Sequence, residues 1–183
     1  MFTFYVGQFI EEVVPHIAQR TAVLCGKENY RGPLVGPRDY MQGLKDGLTF
    51  AVHHMGYHYD FDHVTEMAQT LLSKVRVTAT SFEPSVKDRI NEQLDLLRGI
   101  RDTRMQAVVA FCYIVGLGAF EPFDVEVATM FANEILLGHI VGYLSIPETE
   151  ISRFRKAVNA YHASEDPAEL MSVLQEHIFM FNK

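Results

Sequence analysis

Apolar residues return at every third or fourth position through most of this chain. Val86, Ile90, Leu94 and Leu97 form one such line, Ile151, Phe154, Val158 and Tyr161 a second, and Leu170, Leu174 and Phe181 a third. Phe61, Val64, Ala68, Leu71 and Val75 form a fourth, with Asp60 placed as N-cap to accept the unpaired N–H groups at its start. A period near 3.6 residues puts each set on one helix face, so each line predicts a helix with a core-facing stripe. The pattern predicts further helices from about Thr3 to Leu24, from about Arg38 to Met55 with a stop near Gly56, and from Val125 to Tyr143. The first carries Ile10, Val13, Ile17 and Thr21 on one side and is expected to kink at Pro15. A short strand over Phe2 to Val6 is the alternative for its beginning. Met105 to Phe120 is a run of 16 residues without charge, shorter than the roughly 20 a bilayer span requires, and reads as a core helix.

Proline sharpens the helix starts, because its missing N–H has no partner to lose in a first turn. Pro37, Pro84, Pro122, Pro147 and Pro167 each precede a helical pattern, with Asp39, Asp88, Asp124, Glu148 and Glu169 close behind, where the helix dipole favours negative charge. Ser145-Ile146-Pro147-Glu148 has the spacing of a capping box. The sum is an all-α fold: a single compact bundle of about eight helices forming one domain over residues 1–183. The stretch from Gly26 to Gly36 is the longest irregular connection and reads as a surface crossover.

Four glycines fall inside predicted helices, Gly43 with Gly47 and Gly138 with Gly142. Each costs about 1 kcal/mol relative to alanine, so each needs a reason, and close approach of a second backbone is the common one. Alternatively, Gly138 and Gly142 clear room for a ligand, with Tyr113 and His139 as polar contacts.

Composition excludes several function classes. With 48% hydrophobic and 21% charged residues the chain is expected to fold rather than stay disordered. A formal net charge of -7 repels phosphate backbones and anionic lipid, which argues against nucleic acid and membrane as partners. Arg98, Arg101 and Arg104 are interleaved with Asp95 and Asp102, the pattern of a solvated ion-pair surface. Cys25 and Cys112 imply no disulfide framework, and the first residues lack a basic leader, so a cytoplasmic location is expected.

The chemistry-bearing residues concentrate in one stretch, His53-His54-Met55-Gly56-Tyr57-His58-Tyr59-Asp60-Phe61-Asp62-His63, followed by Glu66. Imidazole and carboxylate suit a first-row transition metal, and His58, Asp60, Asp62, His63 and Glu66 are the candidate ligands. The competing reading makes Asp60 a cap, Asp62 a dipole partner and the aromatics a packed turn. On the helix from Val125, the wheel places Glu126, Thr129 and Asn133 on one side and turns His139 inward with Ala128 and Ile135; His177 follows the line of Leu170 and Leu174. Either histidine is then a hydrogen-bonded core residue or an axial ligand to haem or another planar cofactor. No nucleophile elbow, phosphate loop or paired carboxylates occur, so no catalytic residue is assigned. The leading functional expectation is a non-enzymatic interaction module, a regulator, adaptor or inhibitor that binds another protein or a second copy. Metal binding and a ligand or haem pocket near His139 are the alternatives.

Gly118-Ala119-Phe120-Glu121-Pro122-Phe123-Asp124, set between an apolar helix and the next one, resembles the helix-turn-helix segment of the tellurite-resistance TerB-like family, whose pattern is roughly Asp-Gly-x-Ile-Asp-x-x-Glu. Leu144-Ser145-Ile146-Pro147-Glu148 resembles that family's leucine-serine-acid entry into its next helix. The resemblance covers about 50 residues, with a fainter echo about 61 residues earlier, where Phe50 corresponds to Phe111 and Tyr59-Asp60 to Phe120-Glu121, as two related helical halves would give. Leu117 stands where the family places its first aspartate, which removes one acidic ligand. The resemblance implies an all-helical bundle with a stress-linked, metal-associated or scaffolding role.

Overall fold

In a computed structural model, residues 5–181 are described. Helices α1 (Val6–Gln8) and α2 (Val14–Leu24) are joined end to end by a π-helical turn, Phe9–Val13. There follow α3 (Pro37–His54), α4 (Phe61–Val75), α5 (Pro84–Arg98), α6 (Thr103–Leu117), α7 (Asp124–Gly138), β1 (Gly142–Leu144), a 3-10 turn (Glu148–Glu150), α8 (Ile151–Ser164), α9 (Ala168–Glu176) and β2 (Ile178–Met180). The fold is all-α, its one exception among the described residues a two-stranded antiparallel sheet of β1 and β2. Pro15 perturbs the first rod as its chemistry requires: lacking an N–H and crowding the carbonyl four residues back, it is accommodated by the wide π turn just before it. Thr3, and with it residues 2–4 of the candidate strand over Phe2 to Val6, lies outside the described residues, while Val6 at its end is helical, the first residue of α1.

At the centre runs α7. Every residue from Glu126 to Leu137 is buried, because α3, α4, α6 and β1 pack around it. The wheel therefore misleads here. Glu126, Thr129 and Asn133 are buried rather than solvent-facing, and His139, expected inward, is exposed. Two of these buried polar groups are satisfied close by. Thr129 donates to the Val125 carbonyl at 2.8 Å, and the Asn133 amide ties the Leu144 backbone at both N (2.8 Å) and O (3.2 Å).

α7 also stops earlier than its pattern predicts. The Ile140 N–H bonds the Leu137 carbonyl and the Val141 N–H reaches back to that of Leu136, with Ile140 held in the left-handed region at φ 52°. These paired bonds close the helix end in the manner of a Schellman motif. Gly142 is thus a strand residue, not a helical one. A Cβ there would lie 2.0 Å from the Phe179 carbonyl oxygen, so glycine is what lets β1 meet β2. The same pairing ends α9 at Glu176, so His177 and Phe181 leave the helical line assigned to them. Ser145 does not cap a helix: Pro147 holds that position, while Ser145 accepts from Arg20 at 3.4 Å.

The remaining start signals divide. Pro37 and Pro84 open α3 and α5, Asp39 accepts from the Gly36 N–H at 2.8 Å, and Asp60 caps α4 through the His63 N–H at 2.8 Å. Asp88 falls beyond the first turn of α5. Gly43 and Gly47 lie where backbones approach: a Cβ on Gly43 would sit 2.9 Å from the Leu71 Cα of α4, and one on Gly47 2.4 Å from the Met130 sulfur of α7. Because the obstruction at Gly43 is backbone, Gly43→Ala is expected to cost about 1–3 kcal/mol and lower Tm by several degrees despite alanine's better helix propensity. Thermal and urea unfolding would measure it; unchanged stability would contradict the packing described.

Candidate functional site

The five residues proposed as metal ligands are sent to different tasks. Asp60 is spent on the α4 cap. Asp62 is exposed and receives Lys87 Nζ at 3.0 Å. Glu66 is exposed, and exposed His58 is bonded by the Arg98 guanidinium. Among the described residues, no three histidine, cysteine or acidic side chains gather in a metal-holding group. His63 alone turns inward, with Nε2 at 2.7 Å from Oε1 of Glu134 on α7.

That contact sits behind a cavity of about 560 Å³ between the α3–α4 turn, the α5–α6 connection and the C-terminal half of α7. Its floor is Glu134, 2% exposed, whose Oε1 is held by His63 and whose Oε2 meets no donor among the described residues. Beside it, buried Gln106 donates to the Tyr59 hydroxyl at 3.1 Å. One wall is the contact between Gly56 and Gly138, where a Cβ on Gly138 would lie 2.7 Å from the Gly56 nitrogen. Gly56 adopts φ +81°, a left-handed turn natural to glycine. The rim carries Arg98, Arg101 and His139. Arg98 is committed, its guanidinium on Asp95 and on the Tyr59 carbonyl at 3.2 Å, and 5.5 Å from the Tyr59 ring centre.

Two expectations therefore meet at one place. His63 comes from the candidate metal set, and Gly138 and His139 from the candidate ligand set; Glu134 joins them. Gly142 is occupied by the sheet, and Tyr113 lines a separate hollow with Gly116, Tyr161 and Glu165. An exposed His139 at the cavity rim is not the inward imidazole expected of a core or axial ligand.

The electrostatics of the pair follow from burial. The hydrogen bond that His63 donates to Glu134 raises the His63 pKa above its ordinary 6.5, against the opposing effect of desolvation. Burial pushes Glu134 up as well, and the pull of His63 only partly offsets it. The two together hold a proton to higher pH than an isolated imidazole would. A buried carboxylate with one oxygen free toward a cavity can accept a hydrogen bond, attract a cation or exchange a proton. Sequence reasoning missed Glu134, Gln106 and Tyr59. The available signal was an almost wholly apolar helix that still carries glutamate.

A second buried acid, Glu126, is 1% exposed and lies at the other end of α7. Its Oε1 accepts from Lys27 at 2.7 Å and from Tyr40 at 2.9 Å. It borders a smaller cavity of about 360 Å³ walled mainly by Leu24, Val125, Phe154 and Val158.

Set against protein-family models, curated proteins and solved structures, the chain matches none.

Because His63 is raised in the folded state, the stability it contributes is complete below its unfolded pKa near 6.5 and is lost as pH rises through the folded value. Wild-type protein is therefore expected to lose stability from pH 6.5 upward. Glu134→Gln should flatten that slope and lower the His63 pKa read from its ring resonances by NMR; an unaltered titration would show that the pair does not control the proton.

Proposed function

We propose that this protein is a small-ligand-binding helical module whose ligand donates an N–H or O–H to Glu134 in the cavity between the α3–α4 turn, the α5–α6 connection and α7. One observation carries the reading: Glu134, 2% exposed, is a lining residue of the cavity, and its buried Oε2 has no donor among the described residues. An unmet buried acceptor costs about 1–3 kcal/mol, more when charged, and a ligand donor would recover that energy. The wall supports the reading too. Gly56 and Gly138 allow the α3–α4 turn to lie directly on α7, so the walls come from the packed core rather than from a free loop. No catalytic step is assigned, because one buried carboxylate and its histidine do not make a complete acid–base constellation.

The test is an NMR titration of the full chain with a panel of small amines, amides and alcohols. At least one is expected to shift the backbone signals of Gly56, Gln106 and Gly138 together, with Glu134→Gln weakening that binding at least tenfold. If no member of the panel perturbs these residues, or if the variant binds equally well, the reading fails.

A second reading, an interaction module that pairs with another copy of itself, is favoured by a different face. Ile140, Phe179 and Met180 are exposed, and β2 pairs with β1 alone, so its outer edge has no strand beside it among the described residues. Sedimentation velocity should then show a dimer at micromolar concentration that Met180→Glu dissociates; a monomer throughout would rule this reading out.

A further inference from the structure

The cavity is lined by groups of opposite charge: Glu134 of α7 and, at the α5–α6 connection, Arg101 beside Thr103. Arg101 is exposed and has no carboxylate within ion-pair distance among the described residues, unlike Arg98, which is held by Asp95. Thr103 is the first residue of the 15-residue helix α6. The cap, Asp102, accepts the N–H groups of Arg104 (2.9 Å) and Met105 (3.3 Å), so the Thr103 N–H is left without an acceptor among the described residues. An uncommitted guanidinium beside an uncommitted N–H at a helix N-terminus is an arrangement that binds an anion. The unpartnered Glu134 oxygen, on a different helix, independently calls for a donor.

We infer that the ligand of this cavity is a small amphoteric molecule, with a cationic nitrogen on Glu134 and an anionic group on Arg101 and the Thr103 N–H. This rests on the ligand-binding reading above and narrows it. A simple amine would satisfy the floor and leave the rim unused. A simple anion would meet Arg101 while leaving Oε2 of Glu134 without a donor. Only a molecule bearing both groups serves both, and about 560 Å³ limits it to metabolite size.

Isothermal titration of the full chain with butylammonium, propionate and ω-amino acids from β-alanine to 6-aminohexanoate separates the possibilities. At least one amino acid of the series is expected to bind tenfold or more tighter than either single-charge probe. Arg101→Gln, a change at an exposed loop position, should bring that amino acid to within about threefold of butylammonium and leave butylammonium itself unaffected. If butylammonium binds through Glu134 as tightly as every amino acid, or if Arg101→Gln changes no affinity, the amphoteric ligand is excluded and the ligand-binding reading survives. If no probe binds and Glu134→Gln changes nothing, both fall.

Discussion

A helix buried on every side has no face on which to leave a charge in water. α7 is such a helix and carries Glu126 and Glu134 inside the core. Removing a carboxylate from water costs several kcal/mol unless it is paired and hydrogen-bonded, so its neighbours are constrained to supply donors. Lys27, from the turn after α2, reaches Glu126 and the Pro122 carbonyl, and Tyr40 on α3 adds its hydroxyl. His63 on α4 does the same for Glu134. Elements far apart in the chain are thereby fixed around one rod by electrostatic need as well as by apolar packing. The same need explains why the α3–α4 turn closes on α7: Gly56 against Gly138 brings α4 in at a depth where His63 can meet Glu134.

Close packing also explains the cavity. Helices meet along ridges and part where their axes diverge, and the α5–α6 connection crosses the gap left beyond the Gly56–Gly138 contact. Tyr59 and Gln106 fill part of that gap and satisfy each other. Among the buried side chains that line what stays open, Glu134 alone carries an oxygen without a donor among the described residues.

The elements legible in the sequence were those governed by local chemistry. Pro37, Pro84 and Asp60 mark starts whose causes lie within one helical turn. Gly43 and Gly47 announce close approach because nothing else justifies glycine there. What could not be read depends on partners distant in the chain. β1 exists because β2 returns to pair with it, and Gly142 is needed because of the Phe179 carbonyl, so the helical pattern through Tyr143 gave no warning. The inside–outside rule likewise fails for α7: Glu126, Thr129 and Asn133 look like a solvent face until the surrounding helices are placed. His63 was singled out, but as a metal ligand; its actual partner lies 71 residues away, beyond any spacing argument.

The two buried acids differ in a way that assigns them different work. Glu126 shares one oxygen between the Lys27 ammonium and the Tyr40 hydroxyl, and Lys27 lies 4.3 Å from the Phe123 ring centre, anchored from several sides. Glu134 is matched by an imidazole, whose charge comes and goes near neutral pH, and borders the larger of the two cavities, while the second oxygen of each acid meets no donor among the described residues. A group needed only to hold the fold gains nothing from a conditional partner. A carboxylate that must accept a ligand's donor, and adjust its own proton as it does so, gains from having one.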